Sequence, residues 1–323
     1  MKKLLVLLSL AVLTLFLAPH VGHTVLEGND PKGINDLVFR EIRVPRVLMA
    51  FLCGMGLSVG GLVFQAMFRN SLATPFTLGV ASGSTLGVAL WVMFGIQFSL
   101  LGISGLSLAA LAGALVSILL VYGMARVTGG FSPLAMLLGG VVLSFFFSSL
   151  TLLVQHFADA GSTFRVMRWL MGNLGGADYE GVWQVLPFVL SGVMIVSFFR
   201  NELDLLSLGD ELAQSRGVEV DRVRKVLFFA VSLMVAGVMT VCGPIGFVGI
   251  MVPHFCRMLF GVSHRNLVWA SVLLGGIFLV WCDTLARSIS VGGELPVGVL
   301  TALLGGPFFL WLLVQNGGRG MRY

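Results

Sequence analysis

Ten apolar runs, most of them about as long as a bilayer is thick, succeed one another along the 323 residues of this chain. A helix needs about 20 apolar residues to cross roughly 30 Å of hydrocarbon. The runs fall at about 4–20, 46–67, 76–96, 100–124, 132–157, 182–199, 225–242, 246–260, 268–287 and 296–315. They are continuous rather than alternating, which excludes a closed β-barrel. The reading is an all-α, polytopic membrane bundle of about ten transmembrane helices, forming one domain over residues 1–323. Composition supports lipid as the solvent. Hydrophobic residues make up 57% and charged residues 11%, whereas soluble domains carry about 25% charged residues. The eighth run is short, and Gly243-Pro244 and Pro253 interrupt it. It is expected to be a partial or tilted helix. Gly56 and Gly60, then Gly79, Gly83 and Gly87, have the spacing that lets membrane helices approach closely.

The net charge of +5 does not point to nucleic acid, because the basic residues are dispersed between apolar runs. Cytoplasmic membrane loops carry such an excess. With the N-terminus inside, 13 Lys and Arg fall on cytoplasmic segments and 7 on outer ones, so both termini are expected in the cytoplasm. Met1-Lys2-Lys3 followed by Leu4 to Ala18 mimics a signal peptide. The next residues, Pro19 to His23, offer no A-x-A-like cleavage site, so the run is expected to remain as the first span. Two connections are long. Residues 158–181 contain Arg165, Arg168 and Trp169 and are expected to hold a short surface helix. Residues 200–224 form the most polar stretch, with Leu203, Leu206, Leu212 and Val218 at helical spacing and Gly209 and Gly217 as breaks. That apolar stripe suggests docking to another protein, with packing on the bundle as the alternative. A faint echo between the segments ending at Arg69 and at Arg257 is compatible with duplicated halves.

Energy coupling is informative by what is missing. The sequence has no GxxxxGK[ST], and none of its four lysines ends a Gly-rich loop, so it lacks the usual ATP cradle. Nor do paired carboxylates fall within the spans, as ion relays require. Asp283 is the only acid placed in the membrane region. A transporter of this kind needs an outside energy source, most simply a separate ATPase. Asp283 and Arg287 are four residues apart and share a helix face, which suits a structural pair and a functional one equally. Cys53, Cys242, Cys256 and Cys282 lie in apolar stretches without a CxxC and read as buried packing thiols. His254 beside Pro253 reads as structural, and His20 with His23 has no third ligand in view for a metal.

Several motifs together resemble a known family. Arg43-Val-Pro-Arg46 opens the second span. Arg69-Asn-Ser-Leu-Ala-Thr-Pro75 follows it, then Leu78 to Gly83. Later come Phe247 to Arg257 with Pro253-His254, Asp283-Thr-Leu-Ala-Arg287, Glu294-Leu-Pro-Val-Gly298, Thr301 and Gly305-Gly-Pro-Phe-Phe309. In order and spacing they resemble the FecCD-type permeases of bacterial ABC importers for iron-siderophores, haem and cobalamin. The resemblance implies a type II importer permease in the bacterial inner membrane, usually a homodimer. It also implies two ATP-binding subunits, which carry the ATP and Mg, and a periplasmic or lipid-anchored substrate-binding protein. By resemblance, Arg43, Arg46 and Arg287 are docking residues for that protein on the outer rim. Interfacial anchoring is the other reading of the first two. The stretch Leu208, Gly209, Asp210, Glu211, Ala213, Arg216 and Gly217 resembles the family's ATPase coupling loop. Gln65, Asn70, Pro75, Phe146 and Thr301 are pathway or gate candidates, although Gln65 and Asn70 equally suit bonds to freed backbone groups. Ser71 stands where proline is common.

The resulting expectation is a permease subunit that moves an iron chelate and needs no cofactor of its own. Cobalamin or another metal complex or oxyanion is the alternative cargo. An ion-coupled secondary transporter is the main rival, favoured only by Asp283. A membrane enzyme is the remote one, since neither HExxH nor a Ser/His/Asp grouping is present.

Overall fold

The computed structural model describes residues 2–22, 34–96, 98–100, 102–127, 132–289 and 293–316. Ten apolar helices occupy the ten runs. They are α1 (Lys2–Leu17), α3 (Val44–Phe68), α4 (Val80–Phe94), α5 (Gly105–Val127), α6 (Pro133–Phe157), α8 (Tyr179–Phe198), α11 (Val220–Cys242), α12 (Val248–Phe260), α13 (His264–Ser288) and α14 (Val297–Asn316). The connections add α2 (Ile34–Leu37), α7 (Ala160–Leu170), α9 (Arg200–Leu208) and α10 (Asp210–Ser215). Among the described residues, seven helical segments are long and apolar enough to span a bilayer, and α4, α12 and α14 are shorter apolar helices.

Local chemistry sets many of the boundaries. Pro45 and Pro133 sit in the first turns of α3 and α6, where a missing N–H costs nothing. Asp178 caps α8 by accepting from the Gly181 amide at 2.7 Å, and Asp159 caps α7 through the Ser162 amide at 2.9 Å. The Ser162 hydroxyl and amide hold the Asp159 carboxyl below its ordinary range. The fourth run starts later than its hydropathy suggests. Before it lie two short strands, β1 (Ser99–Leu100) and β2 (Ile103–Ser104), paired antiparallel with Leu100 opposite Ile103.

Helix α3 is the axis of the bundle, packed against α8, α11, α12 and α13. Two of its glycines make this possible. A Cβ on Gly54 would overlap the Gly275 carbonyl of α13, and one on Gly61 would overlap the Gly249 carbonyl of α12. Backbones this close leave no room for a side chain. Helices α4, α5 and α6 form a second group, in which Gly83 and Gly87 meet Gly113 and Ala109. Helix α1 lies along α13, tied by the Trp281 indole donating to Thr14 Oγ1 at 3.2 Å. All four cysteines are buried, with Cys53 and Cys242 in contact.

The interruption before α12 is a non-helical segment over residues 243–247. Unwound backbone at membrane depth is tolerated where it is buried in protein or lines a cavity, and here Gly243 and Ile245 are buried while Pro244, Gly246 and Phe247 are partly covered. The Asn173 amide donates to the Cys242 carbonyl at 2.9 Å, and the Gly298 amide donates to the Gly172 carbonyl at 3.1 Å. Phe247 takes a left-handed backbone (φ 65°), unusual for a bulky residue. Its ring lies where a Cβ on Gly305 would fall.

Candidate functional site

Charged side chains collect at the two ends of the bundle. The end that holds the N-terminus of α1 also holds Arg69, Asp204, Asp210, Arg224 and His264. The opposite end holds Arg43, Arg46, Asp283, Arg287 and Glu294.

At the opposite end, Arg46 is the hub. Its Nε and Nη2 donate to the Asp283 carboxylate at 3.0–3.1 Å. Its Nη1 donates to Glu294 Oε2 at 2.7 Å. Arg46 is 4% exposed and Asp283 1%, while the Glu294 side chain is 53% exposed. The planar guanidinium fork suits this double engagement. The pair expected between Asp283 and Arg287 is looser, at 4.0 Å; the close partner of Asp283 is Arg46, 237 residues away. Arg287 Nη2 donates to the Ala18 carbonyl at 2.5 Å, and Arg43 Nη1 to the Pro19 carbonyl at 3.2 Å. Both therefore bond carbonyls where α1 ends, that of Ala18 also accepting from the Val21 amide at 3.2 Å. Sequence placed all three arginines on a rim. They do lie at one end, but buried in their own chain, where the Pro19 and Ala18 carbonyls engage Arg43 and Arg287 and Asp283 engages Arg46.

At the other end, α9 and α10 form the long polar connection. Leu203 and Leu206 are fully buried against the bundle, whereas Leu208 and Leu212 are exposed. Of the apolar stripe expected to dock, Leu203, Leu206 and Val218 pack on the bundle and only Leu212 projects, joined there by Leu208. Gly209 (φ 132°, ψ 153°) makes the break between the two helices, a backbone shape that only glycine adopts readily. Asp210 accepts from Arg224 Nη2 at 2.8 Å and faces Arg69 Nη2 at 3.8 Å. Ala213 is buried, Glu211 and Arg216 are exposed, and Gly217 (φ 83°) leads toward α11.

The pathway candidates separate. Gln65 is fully buried, donates to the Gly249 carbonyl at 3.0 Å and accepts from Arg257, so it bolts α3 to α12. Thr301 is fully buried and donates to the Gly298 carbonyl at 3.0 Å. Pro75 is buried in a short 3-10 turn over Pro75–Leu78. Asn70 accepts from the Leu72 amide at 2.9 Å and borders a cleft of about 580 Å³ with Arg69, Ser71, Ser132 and Leu137. Phe146 is 55% exposed on α6. His254 packs edge-on against Phe308. His20 Nδ1 donates to the Phe16 carbonyl at 2.9 Å, while His23 lies outside the described residues. Among the described residues, no group of three metal-ligating side chains converges. Asp204, which contacts His264 and Ser263, was not foreseen from sequence; its only local signal is an acid amid the buried leucines of α9.

A ten-helix bundle with charge clusters at its ends and a helical hairpin projecting from one of them is the architecture of a multi-span membrane permease. The chain belongs to the FecCD transport family, whose sequence profile matches residues 3–315. It is 32% identical over 285 residues to the iron(3+)-hydroxamate import system permease protein FhuG of Bacillus subtilis, covering 87% of this chain and 84% of that one. It is 37% identical over 286 residues to the cobalamin import system permease protein BtuC of Halobacterium salinarum, covering 88% and 75%. Among solved structures, an inward-facing conformation of a protein described as a metal-chelate type ABC transporter superposes with a TM-score of 0.88 at 32% identity. That match covers 97% of this chain and 99% of the other.

Proposed function

We propose that this chain is the permease subunit of an ABC importer that carries an iron chelate across the bacterial inner membrane, with both termini in the cytoplasm. The observation that carries the proposal is the projecting hairpin of α9 and α10. It offers Leu208, Glu211, Leu212 and Arg216 to a partner while Leu203 and Leu206 anchor it. Such a hairpin suits the cleft of an ATP-binding subunit, which holds the ATP and Mg and hydrolyses the nucleotide; the permease is not itself the enzyme. Two such subunits act on two copies of this chain. ATP drives opening only because the ATPase binds the two permease states with different affinity.

A substrate-binding protein docks at the opposite end. Arg43, Arg46 and Arg287 lie just beneath that surface, with Glu294 above Arg46. A partner carboxylate reaches Arg46 when Glu294 swings aside. The cargo passes between the copies as an intact complex.

Iron chelate is the cargo favoured by likeness to the hydroxamate permease and to the metal-chelate transporter. Cobalamin is the second reading, favoured by the 37% identity to the Halobacterium protein. Uptake of radio-iron hydroxamate and of cobalamin in cells lacking the gene separates them. Lost iron uptake, rescued by wild type and not by Arg216→Glu, supports the proposal. Lost cobalamin uptake alone moves the cargo, and normal uptake of both in a strain without a redundant importer refutes the chelate reading.

A further inference from the structure

The hairpin of α9 and α10 is tied to the bundle at two points. One is Asp210, which meets Arg224 of α11 and Arg69 at the end of α3. The other is Asp204, and it engages a different helix. One oxygen of Asp204 accepts from the backbone N–H of His264 at 2.7 Å and lies 2.7 Å from the Nδ1 of the same residue. The other oxygen accepts from Ser263 Oγ at 3.3 Å.

His264 is the first residue of α13, and Ser263 stands at its N-cap position without making a side-chain cap bond. The first amides of a helix have no partner within it, and they favour negative charge. Asp204 supplies both needs from another segment. Buried Leu203 and Leu206 flank it and hold its backbone on the bundle, and the His264 side chain is only 6% exposed. The N-terminus of α13 is therefore capped by α9.

Helix α13 continues without a break to Ser288 and carries Asp283 and Arg287 near its far end. From His264 to Asp283 is roughly 28 Å along a helix rising about 1.5 Å per residue. The same rod thus holds the coupling hairpin at one end and the Arg46 cluster at the other.

The geometry points to Asp204 and His264 as the joint that passes movement of the coupling hairpin to α13. They are positioning residues of the transport cycle: they touch no cargo and act through the helix. This inference rests on the reading of α9 and α10 as the ATPase-coupled hairpin. Without the joint, the hairpin still follows the ATPase through Asp210, while α13 stays behind.

The test uses the full importer in liposomes, with spin labels placed either at exposed Ser215 of α10 or at exposed Leu285 of α13. Distances between the labels of the two copies are measured without nucleotide and with Mg-ATP trapped by vanadate. In the wild-type background both distances are expected to shift. In Asp204→Ala the Ser215 shift is expected to remain and the Leu285 shift to be lost. Asp204→Asn, which keeps an acceptor oxygen for the His264 amide, is expected to retain the Leu285 shift. His264→Ala keeps the amide and loses the imidazole, and should reduce the shift in part. A full Leu285 shift in both Asp204→Ala and His264→Ala would overturn the joint. If Asp204→Ala does not assemble, a full shift in His264→Ala overturns it. An unmoved Ser215 pair in the wild type would instead remove the coupling reading, and the joint with it.

Discussion

Replacing Asp283 by alanine would leave Arg46 charged, buried and deprived of the carboxylate that engages two of its three nitrogens. Removing one member of a buried ion pair costs about 3–5 kcal/mol, mostly because the other charge is stranded. Glu294 remains on Nη1 at 2.7 Å, so the loss should sit at the lower end of that range. Removing Glu294 instead, as Glu294→Gln, breaks a half-exposed contact while Asp283 still neutralises Arg46; contacts of that kind are worth about 0.2–1 kcal/mol. The double change Arg46→Met with Asp283→Leu removes both buried charges and should recover most of the loss, since apolar replacements of buried pairs are often neutral or better. The assay is thermal unfolding of the detergent-solubilised permease, followed by size-exclusion of a fluorescent fusion. The expected order of stability is wild type, then Glu294→Gln, then the double variant, then Asp283→Ala. An Asp283→Ala protein as stable as Glu294→Gln would refute the hub assigned to this pair.

Three further outcomes are expected. Gly61→Val puts side-chain atoms into the Gly249 backbone; overpacking of this kind costs about 1–3 kcal/mol, read as lost monodisperse yield, whereas half-buried Gly123, where an added Cβ meets nothing, should tolerate alanine. Burial alone would raise the Asp204 carboxyl, but bonds from His264 and Ser263 bring it below its ordinary value. Its stabilisation is therefore present above the unfolded value, about 3.9, and is lost as pH falls through the lower folded value. The stability gap between wild type and Asp204→Asn should close only below about pH 4, and a gap that closes near pH 6 would refute the assignment. Leu212→Glu, at an exposed position of the hairpin, should leave permease stability unchanged and reduce co-purification of the ATP-binding subunit; undiminished co-purification would exclude Leu212 from that contact.

Sequence alone determined the rough limits of the apolar helices, the break before α12, a short helix within residues 158–181 and the helical breaks at Gly209 and Gly217. Each depends on a few neighbouring residues: hydropathy is a local sum, and caps, prolines and glycines act within one turn. The motifs that mark the family were likewise legible, because they are short and ordered. Side-chain partners were not. Asp283 and Arg287 share a face by spacing, yet Asp283 pairs closely with Arg46, which no periodicity connects to it. Gln65 left two readings open until α12 brought the Gly249 carbonyl to it. The family resemblance put the three arginines on a rim; in the fold Arg43 and Arg287 bond to carbonyls at the end of α1 and Arg46 bonds to Asp283 of α13, and all three are buried. Only the tertiary structure decided these points, since a buried charge takes whichever partner the packing of distant helices brings within about 3 Å.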